Sequence, residues 1–143
     1  MIRIFPITKS LPQDYEMWLE NYEADGWNLK KVSLGGWIHH FVKGQPRKIR
    51  YCYDYQGKKK MNYEAVFKDV GWEFVYYFFG AYMWRIGYTV ERPEAFSDYT
   101  TVIGRNNRFL CLFLACFLPY PITIAFTVIA LLHGKPIYQN IVY

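Results

Sequence analysis

Trp18-Leu19-Glu20-Asn21-Tyr22-Glu23-Ala24-Asp25-Gly26-Trp27 lies over Tyr63-Glu64-Ala65-Val66-Phe67-Lys68-Asp69-Val70-Gly71-Trp72 at a constant offset of 45 residues. The match continues without a gap from Leu34-Gly35-Gly36-Trp37-Ile38 to Phe79-Gly80-Ala81-Tyr82-Met83. Two glycine landmarks and several aromatic matches at one offset point to an internal repeat, and a repeat governs architecture. In the first copy, Leu11-Pro12-Gln13-Asp14 opens a helix in which Tyr15, Trp18, Leu19 and Tyr22 recur at three- and four-residue spacing, and Gly26 supplies the left-handed position that ends it. Trp27 to Leu34 and Trp37 to Lys43 then read as strands about a Gly35-Gly36 hairpin turn.

The second copy repeats this plan. Tyr63 to Val70 is helical, Gly71 stops it, and Trp72 to Phe79 pairs with Tyr82 to Gly87 across Gly80-Ala81. A strand precedes each helix, Ile2 to Ile7 and Ile49 to Tyr55, the latter alternating Ile49, Tyr51, Tyr53 and Tyr55 with Arg50, Cys52 and Asp54. The expectation is an α+β domain of duplicated β-α-β-β units over residues 1–87. One antiparallel sheet with both helices on one face, akin to the ferredoxin-like arrangement, is the simplest assembly.

Outward from this domain, a linker at 88–108 leads to Phe109–Leu132, which holds no charged residue. As a helix the run spans about 36 Å, enough for a hydrocarbon core of about 30 Å. A transmembrane segment is expected at 109–133 and a short tail at 134–143. Pro119-Tyr120-Pro121 sits at its centre, where each proline deletes a backbone donor. A single span kinked at Pro119 and Pro121 and a re-entrant hairpin both fit. Arg105 and Arg108 precede the segment and only Lys135 and His133 follow it, which directs the domain to the cytoplasmic side of the cell membrane. The chain opens Met1-Ile2-Arg3-Ile4-Phe5-Pro6 and turns polar at Thr8, so no signal peptide is read there.

The totals narrow the function. A chain of 143 residues that gives up a membrane segment leaves room for one small domain, not a two-domain enzyme. Aromatics make up 21% of the chain, enough large rings to fill a small core without disulfides. Cys111 and Cys116 lie in the apolar run and only Cys52 precedes it, which fits a reducing compartment. All 12 acidic residues and all but one of the 17 basic ones precede Phe109, a mild and dispersed excess that favours an anionic leaflet over nucleic acid.

No motif carries catalysis. His39 and His40 are adjacent strand residues on opposite faces and do not share a metal readily. Glu16, Glu20, Glu23 and Asp25 read as the solvated side of the first helix, and Asp54 as half of a surface pair with Arg50. There is no phosphate loop, serine nucleophile or zinc spacing, so the chain reads as a non-enzyme without cofactor or metal. The run Phe74 to Trp84 lacks charge on both strand faces, which makes Trp27, Trp37, Trp72, Tyr76, Phe78, Tyr82 and Trp84 the candidate surface for a partner, a second copy or an apolar ligand. Lys58, Lys59 and Lys60, with Arg105 and Arg108, are the candidate contacts to membrane lipid.

Trp18-Leu19-Glu20, Gly26-Trp27-x-Leu29, Phe41-Val42-Lys43-Gly44-x-Pro46, Arg50-Tyr51-x-Tyr53-Asp54-Tyr55 and Gly71-Trp72-Glu73 together resemble the DUF2812 family, bacterial membrane proteins of unknown function with a small N-terminal domain. The likeness covers about residues 1–87. It implies a gene neighbourhood with PadR-type transcriptional regulators and offers no catalytic residue to carry over. Members often have two membrane helices after the domain, where this chain shows one. The expected function is a membrane-anchored sensor or adaptor, signalling through protein–protein interaction with an integral membrane protein or a transcriptional regulator. The alternative is an accessory subunit of a transporter or other membrane complex, favoured by the small residues Ala115, Ala125 and Ala130.

Overall fold

The computed structural model describes residues 1–6, 11–57, 62–96 and 99–133. The expected Lys58-Lys59-Lys60 membrane contact and the tail from Gly134 lie outside the described residues. Two compact units divide the chain, Met1–Phe109 and Leu110–Tyr143.

In the first unit the elements run β1 (Ile2–Ile4), α1 (Pro12–Ala24), β2 (Trp27–Ser33), a 3₁₀ turn (Leu34–Gly36), β3 (Ile38–Lys43), β4 (Ile49–Tyr55), α2 (Tyr63–Asp69), β5 (Glu73–Phe78) and β6 (Ala81–Gly87). Pro12 sits at the start of α1, where its missing N–H costs nothing, and Gly26 (φ 76°) turns the chain out of it. Gly71 (φ 89°) does the same after α2.

The strands form two antiparallel three-stranded sheets, ordered β1-β3-β2 and β4-β6-β5, not the single sheet expected from the repeat. Each sheet places its third strand in the middle. The irregularities in strand pairing also fall at matching places, Leu29/Lys31 in β2 and Phe74/Tyr76 in β5. Local pattern specifies each β-α-β-β unit but does not say whether β4 will pair with β1. Here α1 occupies the outer edge of β4: the backbone N–H of Tyr51 donates to Glu20 (3.1 Å) and that of Tyr53 to Glu16 (2.8 Å). Carboxylates on a helix thus satisfy strand donors that a neighbouring strand would otherwise take.

Alternation along β4 and β6 feeds two apolar clusters. Tyr51 and Met83 join Tyr15, Leu19, Leu29 and Phe41 in the cluster between α1 and the sheets. Cys52, Tyr82 and Trp84 point the other way, into a cluster with Phe67 of α2 and Trp72, over which Ala95 and Phe96 also pack. Within the uncharged run Phe74–Trp84, Ala81–Trp84 of β6 are therefore covered on both faces, whereas Phe74, Tyr77, Phe78 and Phe79 stay exposed. Residues expected to be a linker contribute to that cover.

Beyond the sheets, α3 (Tyr99–Phe117) and α4 (Pro119–Leu132) follow, with α3 crossing the division between the units. Thr100–Leu132 contains a stretch long and apolar enough to cross a membrane, by length and composition. Leu118 between the two helices keeps helical dihedrals (φ −58°, ψ −37°), and its N–H bonds the Leu114 carbonyl at 2.9 Å. Thr123 and Thr127 return their hydroxyls to the Tyr120 and Thr123 carbonyls, each at 2.8 Å, so neither side chain needs water.

Candidate functional site

The chemistry of the first unit is concentrated in buried carboxylates, each facing an arginine. Along α1, Glu16, Glu20 and Glu23 share a stripe with Tyr15 and Leu19, because residues three and four apart lie on one helix face. This stripe packs against the sheets, so Glu16 and Glu23 are buried where a solvated face was expected.

Glu16 meets two arginines from distant parts of the chain. Its Oε1 accepts from Arg105 of α3 at 2.7 Å and its Oε2 from Arg50 of β4 at 3.0 Å. Arg50 also donates to Glu20 at 2.9 Å and to the Tyr51 carbonyl. Glu20 in turn accepts from Arg92 at 3.1 and 3.2 Å, and Arg92 lies 3.5 Å from Glu94. The signs alternate through six residues: Arg105, Glu16, Arg50, Glu20, Arg92, Glu94. Burial pushes the Glu16 carboxyl up from its ordinary value against the pull of Arg105 and Arg50. Burial acts to lower Arg50, yet Glu16 and Glu20 hold its guanidinium above the ordinary value. Beside this series opens a cavity of about 230 Å³, lined by Gln13, Met17, Phe96 and Val102 together with all of these charges but Glu20.

Two further carboxylates complete the set. Glu23 accepts from Arg47 (2.6 and 3.1 Å), the Asn28 amide (3.0 Å), the Leu29 N–H (2.9 Å) and the Tyr51 hydroxyl (2.7 Å). Burial alone would raise this carboxyl, but the donors outweigh it and hold Glu23 below the usual range. Asp54, also buried, accepts from Tyr63 (2.7 Å), Gln56 and Arg108 (3.2 Å). Arg108 additionally donates to the Tyr55 carbonyl at 2.7 Å. Asp54 is thus paired with Arg108 of α3 and not with its sequence neighbour Arg50.

Arg105 and Arg108, expected along the leaflet, are one helical turn apart and both reach into the domain, Arg105 with only 2% of its surface exposed. Phe109, where the apolar run begins, packs beside them at a tilt on Tyr53 (4.9 Å between ring centroids) and Tyr55 (5.7 Å).

The aromatic residues singled out from sequence do not form one surface. Trp72, Tyr82 and Trp84 are core, Tyr76 and Trp27 pack at the rim of the other cluster, and Trp37 and Phe78 are exposed. His39 and His40 do face opposite ways. His39 is buried against the Tyr15 hydroxyl and the rings of Trp18 and Phe41, whereas His40 bonds Ser33 at 2.9 Å. Burial, and then neighbouring His40, push His39 down to about 4. Among the described residues no three His, Cys, Asp or Glu side chains gather as a metal would need.

A family model described as "Protein of unknown function (DUF2812)" matches residues 12–118. The matched region takes in Arg105 and Arg108 and both β-α-β-β units except β1, and it continues past residue 87. No curated protein and no solved structure matches the chain.

Proposed function

This chain belongs to the DUF2812 family of proteins of unknown function, and from that starting point we propose that it is a membrane-anchored adaptor or sensor, not an enzyme, whose domain is latched to the helix that leads into the bilayer. The observation that carries this reading is the pairing of the last two charged residues before the apolar run. Arg105 meets Glu16 and Arg108 meets Asp54, and both carboxylates are buried. A passive tether needs only a solvated linker. Buried ion pairs carry a desolvation cost that a tether gains nothing from, and removing one partner leaves a charge stranded. A latch of this kind makes any displacement of α3 a change in the contacts of α1 and β4, and the coupling works equally in reverse.

The arginines that precede the segment favour the cytoplasmic side for the domain. A protein partner, a transcriptional regulator of the PadR type that the family resemblance implies, is favoured over an apolar small molecule because Trp72, Tyr82 and Trp84 are already part of the core. The accessory-subunit alternative draws on α4, whose side chains are exposed throughout most of its length. The matching strand orders and pairing irregularities support a duplicated unit as the origin of the domain. The helical dihedrals at Leu118 favour a single span bent near Pro119 and Pro121 over a re-entrant hairpin.

Purification from native membrane in mild detergent tests the reading. Co-isolation of a soluble regulator supports it. A stoichiometric integral membrane transporter in its place overturns the sensor reading in favour of the subunit.

A further inference from the structure

We propose that the tips of the two hairpins form a lipid-facing rim, with Leu34, Trp37, Phe78 and Phe79 seated in the interface of the bilayer that holds the apolar segment. The inference rests on the membrane-anchored reading above.

Three observations carry it. The first is what stands at the turns. Leu34 (φ 47°) precedes Gly35 (φ 62°), and Phe79 (φ 51°) precedes Gly80 (φ 86°). Phe79-Gly80 makes a two-residue turn and Leu34-Gly35-Gly36 a longer one with a third positive φ (98°), and glycine or asparagine normally takes such positions. A leucine and a phenylalanine there are strained. They gain no burial in return, since Leu34 is 72% and Phe79 is 79% exposed. Strain of this kind without a packing benefit points to use outside the domain's own core.

The second is that the tips belong together. A Cβ placed on Gly35 would meet the Phe78 ring at 2.7 Å, and one on Gly36 the Tyr76 hydroxyl at 3.1 Å, so the first turn rests on the second hairpin. Trp37 (51% exposed) and Phe78 (46%) extend the patch.

The third identifies the occupant. At the same end of the second sheet, Gly80 accepts from the Gln56 N–H at 2.8 Å, Tyr55 pairs with Ala81, and Phe109 lies on the Tyr55 ring. The chain enters its apolar run at Phe109, so covalent continuity alone holds this end of the sheet near the bilayer surface. Gly57 also abuts Gly80 at this end. Trp, Phe and Leu are the composition that suits a headgroup boundary.

Nitroxides at Leu34→Cys, Phe79→Cys, Val90→Cys and Ile124→Cys, each with Cys111→Ser and Cys116→Ser, test this in the full chain at one copy per nanodisc of phosphatidylcholine and phosphatidylglycerol. Val90, 90% exposed, follows β6 at the far end of the sheet and reports water. The expected ratio of oxygen to nickel-chelate accessibility at 34 and 79 is several-fold above that at 90. A ratio equal to that at 90, with 124 still in hydrocarbon, overturns the rim and leaves the anchor standing. A label at 124 in water removes both. Shielding of 34 and 79 from both reagents means a protein surface covers them, and also overturns the rim. Against misfolding of the labelled variants, brominated lipid is expected to quench the unmodified chain at least twofold more than Trp37→Phe, and equal quenching contradicts the proposal.

Discussion

The two β-α-β-β halves share a strand order and a pairing irregularity, yet their helices are used differently. α2, seven residues long, buries Phe67 against Trp84 and Trp72, and its Lys68–Glu64 pair (3.6 Å) stays at the surface. α1, 13 residues long, buries Tyr15 and Leu19 but also Glu16 and Glu23. At the repeat offset the positions of Glu16, Glu20 and Glu23 are taken by Met61, Ala65 and Lys68. Glycines and apolar residues suffice for the shared backbone plan. The carboxylates belong to the one helix that must lie along the open edge of β4 and receive Arg105, so one half is scaffold and the other is a junction.

The largest expected effect separates the halves directly. Glu23→Ala removes the acceptor of Arg47, the Leu29 N–H and the Tyr51 hydroxyl, leaves the Asn28 amide only the Gln45 carbonyl, and should cost about 3–5 kcal/mol. Lys68→Ala, at the matching position of α2, should cost no more than about 0.5 kcal/mol. Denaturant unfolding of the full chain in detergent reads both, and equal losses would erase the distinction. Next in size, Arg105→Met leaves Glu16 short of a partner and should cost about 3 kcal/mol. Adding Glu16→Leu should recover part of that loss, whereas strictly additive losses would show that the two residues are not coupled.

The pH profile sharpens the comparison further, because the first half carries a buried histidine and the second none. His39 titrates near 6.5 when unfolded and is held to about 4 in the fold. Between those values the unfolded chain binds more protons, so stability is full above about 6.5 and falls as pH drops toward about 4. Glu23, held low, loses its contribution in the same direction at still lower pH, while Glu16, pushed up, acts in the opposite sense. His39→Phe should flatten the slope between pH 6.5 and 4, measured by thermal unfolding across that range, and an unchanged slope would place the titration elsewhere. The smallest effect concerns the two helix stops. Gly71→Ala has room, with Ile86 the nearest neighbour at 3.7 Å, and pays only for its positive φ, about 1 kcal/mol. Gly26→Ala would also press on the Gly44 carbonyl at 2.8 Å and should cost measurably more in the same unfolding assay.

Much of the fold was legible because it rests on local rules. Glycines after Asp25 and Val70, the alternation through Ile49–Tyr55 and the three-and-four spacing of Tyr15, Trp18, Leu19 and Tyr22 each specify an element without reference to anything distant. Sheet assembly was not legible, since no local feature says that α1 rather than β1 will cover the edge of β4. The charged junction was missed for a related reason. Glutamates at helical spacing are ordinarily solvated, and Arg105 and Arg108 before an apolar run are ordinarily read as a membrane flank. The available signal was that Glu16, Glu20 and Glu23 share their stripe with Tyr15 and Leu19, which puts them on the packed side of the helix. The tip residues were half visible: the glycines of both turns were placed, but Leu34 and Phe79 at the left-handed position before them were not.

The proposed latch joins α3 to the domain through Glu16, and through it to the edge of β4. Hydrogen exchange at the Tyr51 and Tyr53 amides, which donate to Glu20 and Glu16, tests it in the full chain in detergent. With Arg105→Gln, protection at both amides should fall at least tenfold more than at the Phe41 amide, which bonds the Met1 carbonyl away from the junction. Protection that falls equally at all three amides, or at none, would contradict the latch.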